Sequence, residues 1–276
     1  MTAPVIEAEG LGLRYSRRRG WALKDCGFTL PTGRICALVG HNGAGKSTLL
    51  ALAAGLLRPT EGRIAAPARE RIAYVAQDKP LYGQLTVAET LRMGRELNPG
   101  RWDDGAAAAI AAVLPADAKV RALSGGQRTR LALALALGKR PELLLLDEPM
   151  ADLDPLARRE LMGALMADAA EHGTSVVMSS HILTELEGVC DHLLLVHGGR
   201  VRLDGPIDDL LAAHTLLTGP VADLAPHTVV SARTTGRQLT ALVRHEGPVE
   251  GPWQTAEPTL EDLLLAHLRT PEGAPA

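Results

Sequence analysis

The sequence of 276 residues predicts an α/β fold with a mostly parallel central sheet, and three observations support this prediction. Residues 35–39 are apolar and lead into a glycine-rich loop, which an apolar helical pattern follows. Residues 143–146 are four leucines, and a run that is apolar at every position is typical of a parallel strand covered on both faces. Strand and helix candidates then alternate along the chain, which favours an α/β core.

The N-terminal segments predict an antiparallel β subdomain. Residues 5–15 and 21–30 show short alternating apolar stretches, and the basic run Arg17-Arg18-Arg19 between them is interpreted as a solvated loop. After the glycine-rich loop, a helix is expected over residues 49–56. A turn at Pro59-Thr60-Glu61-Gly62 separates this helix from two short strand candidates, at residues 63–65 and 71–76.

A helical subdomain is expected over about residues 78–138. The pattern becomes helical at residues 85–114, where Thr86-Val87-Ala88-Glu89 fits a capping box and Asn98-Pro99-Gly100 interrupts the helix once. A further helix is expected directly after Ser124-Gly125-Gly126-Gln127, because the next residues form an Ala/Leu-rich segment. That composition indicates heavy burial.

The second half of the chain predicts the rest of the sheet and a small C-terminal region. Strand candidates lie at residues 175–178 and 192–196, and helix candidates lie at residues 155–170 and 182–188. Recognisable motifs stop near Pro206. We therefore expect one large domain over residues 1–205 and a small α+β appendage over residues 206–276, with a final helix over residues 259–268.

The glycine-rich loop reads Gly-His-Asn-Gly-Ala-Gly-Lys-Ser-Thr over residues 40–48, with the G-x-x-x-x-G-K-S spacing of a phosphate-binding loop. Its glycines let the backbone approach phosphate oxygens, and the next helix points its positive dipole end at them. Lys46 is expected to reach the β- and γ-phosphates, and Ser47 to ligate Mg²⁺. A turn that only joins strand to helix is the alternative. The predicted nucleotide-binding loop residues of this P-loop NTPase core are Gly40, Asn42, Gly43, Gly45, Lys46, Ser47 and Thr48.

Composition argues against several other classes of protein. Aromatic residues are 3% of the chain and the formal net charge is −3, so neither a stacking surface for single-stranded nucleic acid nor a basic nucleic-acid footprint is expected. Cys26, Cys36 and Cys190 are far apart and lack metal-ligand spacing, which favours reduced thiols. No signal peptide or membrane span is expected, so a role at the membrane would need another polypeptide.

A second glycine motif, Leu123-Ser124-Gly125-Gly126-Gln127, precedes a helix. Together with the phosphate loop, it makes residues 5–205 resemble the ATP-binding cassette (ABC) family of transporter ATPases. The chain is most similar to the drug- and antibiotic-export branch. That narrower resemblance rests on Ser180-His181-Ile182-Leu183-Thr184-Glu185-Leu186-Glu187, on the turn at Gly198-Gly199-Arg200 and on the closing Thr259-Leu260-Glu261-Asp262.

Two acids end the leucine strand, and the C-terminal ends of parallel strands are where open α/β sheets place ligands. The resemblance implies that Asp147 lies on the Mg²⁺ side of the site, with Ser47 and Gln77. It implies that Glu148 is the general base that polarises the attacking water. The alternative for either acid is that it caps the turn at Pro149.

The resemblance assigns further roles outside the two glycine motifs. Gln77 would sense metal and water, His181 would contact the γ-phosphate, and Tyr15 would stack on adenine. Asp154 would belong to the loop that joins two ATP sites, although the family often has Ser or Gly where this chain has Ala151-Asp152. Taken alone, Gln77 could be an ordinary surface amide, His181 a loop residue and Tyr15 a core ring. The implied cofactors are ATP and Mg²⁺.

The second glycine motif is an anion site at a helix N-terminus, and one triphosphate cannot easily need two glycine sites from one chain. In the family this site, here Ser124, Gly125, Gly126 and Gln127, closes on the ATP of a partner cassette, so a homodimer is expected. A transmembrane permease subunit is the other expected partner, which implies a peripheral location at the cytoplasmic face of the membrane. The rival function is a soluble cassette ATPase acting on nucleic acid or the ribosome, and a weaker one is cluster assembly.

Overall fold

The computed structural model describes residues 3–16, 20–180, 188–249 and 251–269. The predictions for Arg17-Arg18-Arg19, for His181 and for the helix that follows His181 fall outside these ranges.

The strands are named in chain order. They are Ile6–Leu13 (β1), Leu23–Leu30 (β2), Ile35–Val39 (β3), Glu61–Ala65 (β4), Ile72–Val75 (β5), Leu143–Leu146 (β6), Ser175–Ser180 (β7), His192–His197 (β8), Arg200–Pro206 (β9), His214–Pro220 (β10), Thr228–Thr235 (β11), Gln238–Arg244 (β12) and Gln254–Ala256 (β13). The helices are Lys46–Ala53 (α1), Val87–Leu97 (α2), Asp104–Ala111 (α3), Gly125–Gly138 (α4), Pro155–His172 (α5), Ile207–Ala212 (α6) and Leu260–Arg269 (α7).

The strands within the described ranges form three sheets. The central one has the order β5-β6-β7-β3-β8-β9 and is parallel except for the edge strand β9. The N-terminal sheet, β2-β1-β4, is antiparallel, and so is the C-terminal sheet, β11-β12-β10-β13. The predicted fold class is therefore confirmed, including the N-terminal β subdomain, the helical subdomain and the C-terminal α+β appendage.

The leucine run over residues 143–146 is the buried centre of the fold, as its composition predicts. All four side chains have 0% exposure. Leu144 and Leu146 pack in one buried cluster with residues of α4, α5 and α7, whereas Leu143 and Leu145 pack in a second cluster with α1 and the N-terminal sheet. Both faces of the central sheet are thus covered.

Helix α1 begins at Lys46, three residues before the predicted start. The reason is Gly45, which precedes the helix with a φ of +111° and turns the chain directly from the glycine loop into the first helical turn. The predicted boundary followed the apolar pattern and so missed the polar first turn. Lys46, Ser47 and Thr48 therefore stand at a helix N-terminus, where backbone N–H groups have no helical partner.

The helical subdomain contains α2, α3 and α4. The predicted capping box is present at α2, because the Thr86 hydroxyl accepts from Glu89 N at 3.1 Å and the Glu89 carboxylate accepts from Thr86 N at 2.7 Å. The interruption predicted near Pro99 separates α2 from α3. Val87, Leu114 and Leu131 belong to the buried cluster that holds these helices together.

The C-terminal region contains α6, the third sheet and α7. The closing Thr259-Leu260-Glu261-Asp262 motif caps α7, since Asp262 N donates to the Thr259 hydroxyl at 3.1 Å and Thr259 N donates to the Asp262 carboxylate at 3.0 Å. This cap directs Leu260, Leu263 and Leu264 into the same buried cluster as Leu144. The domain boundary at residue 205 stays a prediction. Side chains on both sides of this boundary pack in the same buried cluster, which joins the appendage to the central sheet.

His267 on α7 makes stability depend on pH. Burial, together with the nearby His214 and Arg202, lowers the pKa of His267 to about 4. In the unfolded chain the pKa of a histidine is about 6.5, so between these values the unfolded state binds more protons. The stability linked to neutral His267 is therefore fully present above pH 6.5, and it is lost as the pH falls toward 4.

We expect thermal melts to reveal this titration. Between pH 7.5 and pH 5, wild type should lose on the order of 1 kcal/mol more stability than His267→Asn, because asparagine cannot be protonated. An equally steep loss in the variant would assign the pH dependence to other groups.

Candidate nucleotide-binding site

The phosphate loop joins the C-terminal end of β3 to the N-terminus of α1, at the edge where open α/β sheets bind ligands. The loop has no room for side chains at two glycines. A Cβ at Gly45 would lie 2.7 Å from the Ala22 carbonyl oxygen, and a Cβ at Gly40 would collide with the Val196 carbonyl oxygen. The glycine spacing is therefore needed for this backbone path, beside any contact with phosphate.

A cavity of about 380 Å³ opens at this loop. It brings together most of the residues that the sequence predicts for one nucleotide. Gly40 and Asp147 are predicted site residues that do not line the cavity, but each directly precedes a lining residue, His41 or Glu148. The lining residues are Tyr15, Ala22, His41, Asn42, Gly43, Gly45, Lys46, Ser47, Thr48, Gln77 and Glu148.

Lys46 and Glu148 form an ion pair inside this cavity. Lys46 Nζ lies 3.3 Å from Glu148 Oε1 and donates to the Gly40 carbonyl oxygen at 2.8 Å. Their side chains are only 6% and 9% exposed, so the positive charge meets the general-base candidate in a poorly solvated place. A triphosphate in the cavity would compete with Glu148 for this ammonium group.

Ser179, which the sequence analysis did not single out, joins the two acids that follow β6. Its hydroxyl donates to Asp147 Oδ1 at 2.7 Å and accepts from Glu148 N at 2.8 Å. Glu148 has a φ of +49°, which is unusual for a residue with a side chain and turns it away from the strand direction. Asp147 and Glu148 therefore point to different places from adjacent positions.

Tyr74 on β5 adds a neutral hydroxyl beside Asp147. Burial, together with the negative charges of Asp147 and Asp78, raises the pKa of Tyr74 to about 12. The phenol therefore keeps its proton at neutral pH. Asp147 is 2% exposed and lies beside two hydroxyl groups, those of Ser179 and Tyr74. Its carboxylate thus offers oxygen ligands at the end of the central sheet.

We expect Ser179→Ala to weaken both folding and hydrolysis. It removes the donor to Asp147 Oδ1 and the acceptor for Glu148 N, which should cost about 1–3 kcal/mol of stability. Because the acids lose their support, turnover should fall on the order of ten- to a hundredfold. Ser175→Ala is the matched control, since Ser175 is equally buried on β7 and accepts from Gly33 N at 2.8 Å. Equal loss of turnover in both variants would contradict the role of Ser179.

Tyr15 lies at the mouth of the cavity. Its hydroxyl is 3.0 Å from the Thr48 hydroxyl, and the residue is 58% exposed. The alternative that Tyr15 is a core ring is therefore wrong. Its hydroxyl is held near the phosphate loop, and its ring is accessible to a flat partner.

The second glycine motif stands apart from the phosphate-loop cavity. Ser124 caps α4 in a capping box with Gln127: the Ser124 hydroxyl accepts from Gln127 N at 3.2 Å, and Gln127 Oε1 accepts from Ser124 N at 2.9 Å. Ser124 and Gly125 are exposed, and no residue of the motif lines the cavity. Within the described parts of the chain, the two predicted halves of the site do not meet.

Asp154 caps the next helix. Its carboxylate accepts from Ala157 N at 2.9 Å, and Pro155 occupies the first position of α5. The preceding loop is pressed against α4, because a Cβ at Gly126 would lie 3.1 Å from the Asp152 carbonyl oxygen. The loop that carries Asp154 and the second glycine motif therefore share one surface.

The loop after Gln77 is tied to the same surface by an ion pair that the sequence analysis missed. Lys79 Nζ lies 2.5 Å from Asp152 Oδ2 and 3.3 Å from the Gln77 carbonyl oxygen. The Lys79 side chain is 6% exposed. The sequence signal for this ion pair is Asp152 itself, because it departs from the family pattern. An added acid close to several motifs predicts a basic residue as its partner.

The donor set fits a magnesium ion held jointly with phosphate. In the described residues, no group of three or more His, Cys, Asp or Glu side chains could hold a metal alone. Ser47 and Gln77 line the cavity, and Asp147 lies at its sheet edge. Hydroxyl, amide and carboxylate oxygens are the ligands that Mg²⁺ takes beside substrate phosphates.

Comparison with known proteins decides the family. The family described as "ABC transporter" matches residues 23–151, and one described as "AAA domain, putative AbiEii toxin, Type IV TA system" matches residues 118–187. The aliphatic sulfonates import ATP-binding protein SsuB 2 of Pseudomonas aeruginosa is 38% identical over 212 residues, which are 74% of this chain and 76% of that protein. The chain belongs to the ABC transporter family. It is an ATP-binding ATPase of that family.

Further similar proteins agree with this assignment. The molybdenum import ATP-binding protein ModC of Mycobacterium tuberculosis is 34% identical, over 68% of this chain and 58% of that protein. Among solved structures, a bacterial Atm1-family ABC exporter with ATP bound is 30% identical with a TM-score of 0.66, over 76% of this chain and 40% of that one. The cbiO1 protein of Clostridium perfringens, part of the ABC transporter complex cbiONQ, is 29% identical with a TM-score of 0.65, over 76% of this chain and 92% of that one.

Proposed function

We propose that this ABC ATPase is the nucleotide-binding subunit that powers a separate transmembrane permease and works as a pair with a second copy of itself. The observation that carries the proposal is the separation of two glycine motifs in one chain. The phosphate loop forms a cavity for one nucleotide, whereas Ser124 and Gly125 are exposed elsewhere. An exposed helix N-terminus with glycines suits the phosphate of a neighbouring copy.

In the proposed site, Tyr15 stacks on the adenine ring and the phosphate loop holds the phosphates. Lys46 leaves Glu148 for the phosphate oxygens. Mg²⁺, when bound, neutralises phosphate charge, and we assign its protein ligands to Ser47, Gln77 and Asp147. These roles rest on the cavity lining and on the family pattern.

Hydrolysis is assigned to Glu148. Once Lys46 has turned to the phosphates, the Glu148 carboxylate can accept a proton from the attacking water, while the bond from its own N–H to Ser179 holds its backbone in place. His181, outside the described residues, is proposed to contact the γ-phosphate. Gln77, which also lines the cavity, is proposed to sense the metal ion and the water.

Closure of two copies is the proposed source of mechanical work. ATP bound between the phosphate loop of one copy and Ser124 of the other favours the closed pair, so binding shifts the population toward it. Hydrolysis removes that preference. The helical segment over about residues 85–114 is proposed to contact the permease and transmit the motion. It belongs to the helical subdomain over about residues 78–138, within a cassette over residues 1–205. Residues 206–276 are proposed to be an accessory region.

The membrane location is proposed to be peripheral, at the cytoplasmic face. Among the described residues, no helix is both long enough and apolar enough to cross a bilayer. Co-expression with a membrane protein that is encoded next to this chain in the genome tests the proposed partner. We expect the chain to move from the soluble to the membrane fraction only when that membrane protein is present. Solubility with every multi-span candidate would end the permease proposal.

Export of drugs, antibiotics or lipids is the proposed direction. Its support is the resemblance carried by residues 180–187, by the Gly198-Gly199-Arg200 turn and by the Thr259-Leu260-Glu261-Asp262 cap on α7. The sequence relatives named above are import proteins, which favours import. The 30% identical exporter structure favours export.

Membrane vesicles of known orientation distinguish the two directions. Inside-out vesicles with the permease should accumulate cargo when ATP is added outside, and Lys46→Met vesicles should not. Uptake only by right-side-out vesicles loaded with ATP, with an added solute-binding protein, would establish import.

A further inference from the structure

A second cavity, of about 480 Å³, lies between the edge strand β9 and the C-terminal appendage. Its walls come from β9, α6, β10, β11, β12 and α7. This volume is in the range of about 300–1,000 Å³ that is common for small-molecule sites. The cavity shares no lining residue with the nucleotide-binding site.

One part of the wall is apolar. Leu203 of β9, Leu210 of α6 and the pair Val229 and Val230 of β11 line it. Leu203 is 9% exposed, so this wall continues into the protein core. A ligand here would bury a hydrocarbon body against branched side chains.

Two guanidinium groups line the same cavity, Arg202 on β9 and Arg244 at the end of β12. No ion pair joins either of them to a carboxylate within the part of the chain that the structure describes. Arg200, two residues before Arg202, does have such a partner, since its Nη1 lies 3.6 Å from Asp25 Oδ2. Within the described residues, neither guanidinium group of the cavity is therefore neutralised by an ion pair, although Asp204 and Asp209 also line the cavity.

Buried polar atoms in the wall call for a partner. Arg202 Nε and His267 Nε2 are both buried, and neither makes a hydrogen bond to any residue that the structure describes. Nearly all buried polar atoms in proteins are satisfied, and the Arg Nε–H can only donate. The His214 ring stands edge-on to His267 at 5.9 Å between ring centres, with its Nδ1 2.6 Å from the Leu210 carbonyl oxygen. The missing partner is therefore a hydrogen-bond acceptor.

The two carboxylates of the wall do not fill this role. Asp204 Oδ1 lies 2.7 Å from His192 Nε2, and Asp204 Oδ2 accepts from Thr29 N at 3.0 Å. Asp209 is exposed in the first turn of α6. Among the described residues, neither forms an ion pair with the two arginines, so the position of the acceptor is open to a bound molecule.

We propose that this cavity binds a small amphiphilic organic anion, with its acidic head between Arg202 and Arg244 and its hydrocarbon body against Leu203, Leu210 and Val229. The head accepts from the Arg202 Nε–H and meets His267. Because the body touches both the edge strand and the appendage, the ligand ties residues 206–269 to the central sheet. This site is independent of the proposed transport function, and its test needs no ATP.

Octanoate is the probe, and calorimetric titration of the full chain is the measurement. We expect a Kd on the order of 0.1–1 mM, which is reasonable for ten non-hydrogen atoms. Octanamide has the same length without charge, and acetate has the head without the body. Both should bind at least about tenfold more weakly, because each lacks one of the two matching surfaces.

Arg202→Met and Arg244→Met should each weaken octanoate binding at least about tenfold, while retaining the apolar stem of the side chain. Arg63→Met is the matched control, because Arg63 pairs with Glu9 on the N-terminal sheet and should leave binding unchanged. Octanoate should also raise the melting temperature of wild type and not that of Arg202→Met.

Three results would overturn the proposal. Equal binding of octanoate and octanamide would show an apolar pocket without anion selectivity. Unchanged binding in both arginine variants would place the octanoate elsewhere. Binding that becomes tenfold tighter when residues 270–276 are removed would show that the chain's own C-terminus is the occupant.

Discussion

Replacing Glu148 by glutamine is expected to lower ATP turnover on the order of 10²–10⁴-fold while ATP still binds. Glutamine keeps the size of the side chain and cannot accept the proton of the attacking water. The cavity lining contacts nucleotide through other residues, and Lys46 keeps its bond to the Gly40 carbonyl oxygen, so affinity should stay within a few fold of wild type. Single-turnover hydrolysis and equilibrium ATP binding, measured on the same preparation, separate the two effects.

Glu61→Gln is the control for this substitution. Glu61 is an exposed residue on β4, so removing its charge tests whether the loss of any carboxylate slows hydrolysis. We expect wild-type turnover from it. Turnover near wild type in Glu148→Gln would remove Glu148 from the role of general base, and loss of ATP binding would show that its pair with Lys46 holds the site open.

The central sheet could be predicted from the sequence because its strands are buried on both faces. Residues 143–146 are apolar throughout, and the structure gives these four side chains 0% exposure. Helix starts were less predictable where the first turn is polar. At α1 the apolar pattern begins three residues late, since Lys46, Ser47 and Thr48 belong both to the helix and to the nucleotide-binding loop.

The contacts between motifs that are distant in the sequence could not be predicted from the local sequence pattern of each motif. Ser179 meets Asp147 because β6 and β7 are parallel neighbours with Leu146 opposite Met178, so the next residues also face each other. Strand order is a property of the whole fold, and it is not encoded in the local pattern around Ser179. Lys79 and Asp152 are likewise 73 residues apart, and each alone resembles a solvated charge.

The capped helix at Ser124 makes the homodimer proposal testable by charge. Asp and Asn cap helices about as well as Ser, so Ser124→Asp and Ser124→Asn should both keep α4 folded. Only aspartate would place a negative charge against the phosphate that the partner copy holds. In a Glu148→Gln background with ATP, we expect Ser124→Asp to weaken dimerisation on the order of 10²-fold.

Sedimentation in the presence of ATP measures this effect, and nucleotide binding by the monomer is measured beside it. Ser124→Asn should still form the ATP-dependent dimer, because it changes shape without adding charge. The aspartate should leave binding of ATP to the monomer unchanged, since Ser124 does not line the phosphate-loop cavity. Dimerisation of Ser124→Asp as tight as that of Ser124→Asn would mean that the second glycine motif does not face a partner's phosphate. Weakened ATP binding in the monomer would instead place both glycine motifs on one nucleotide.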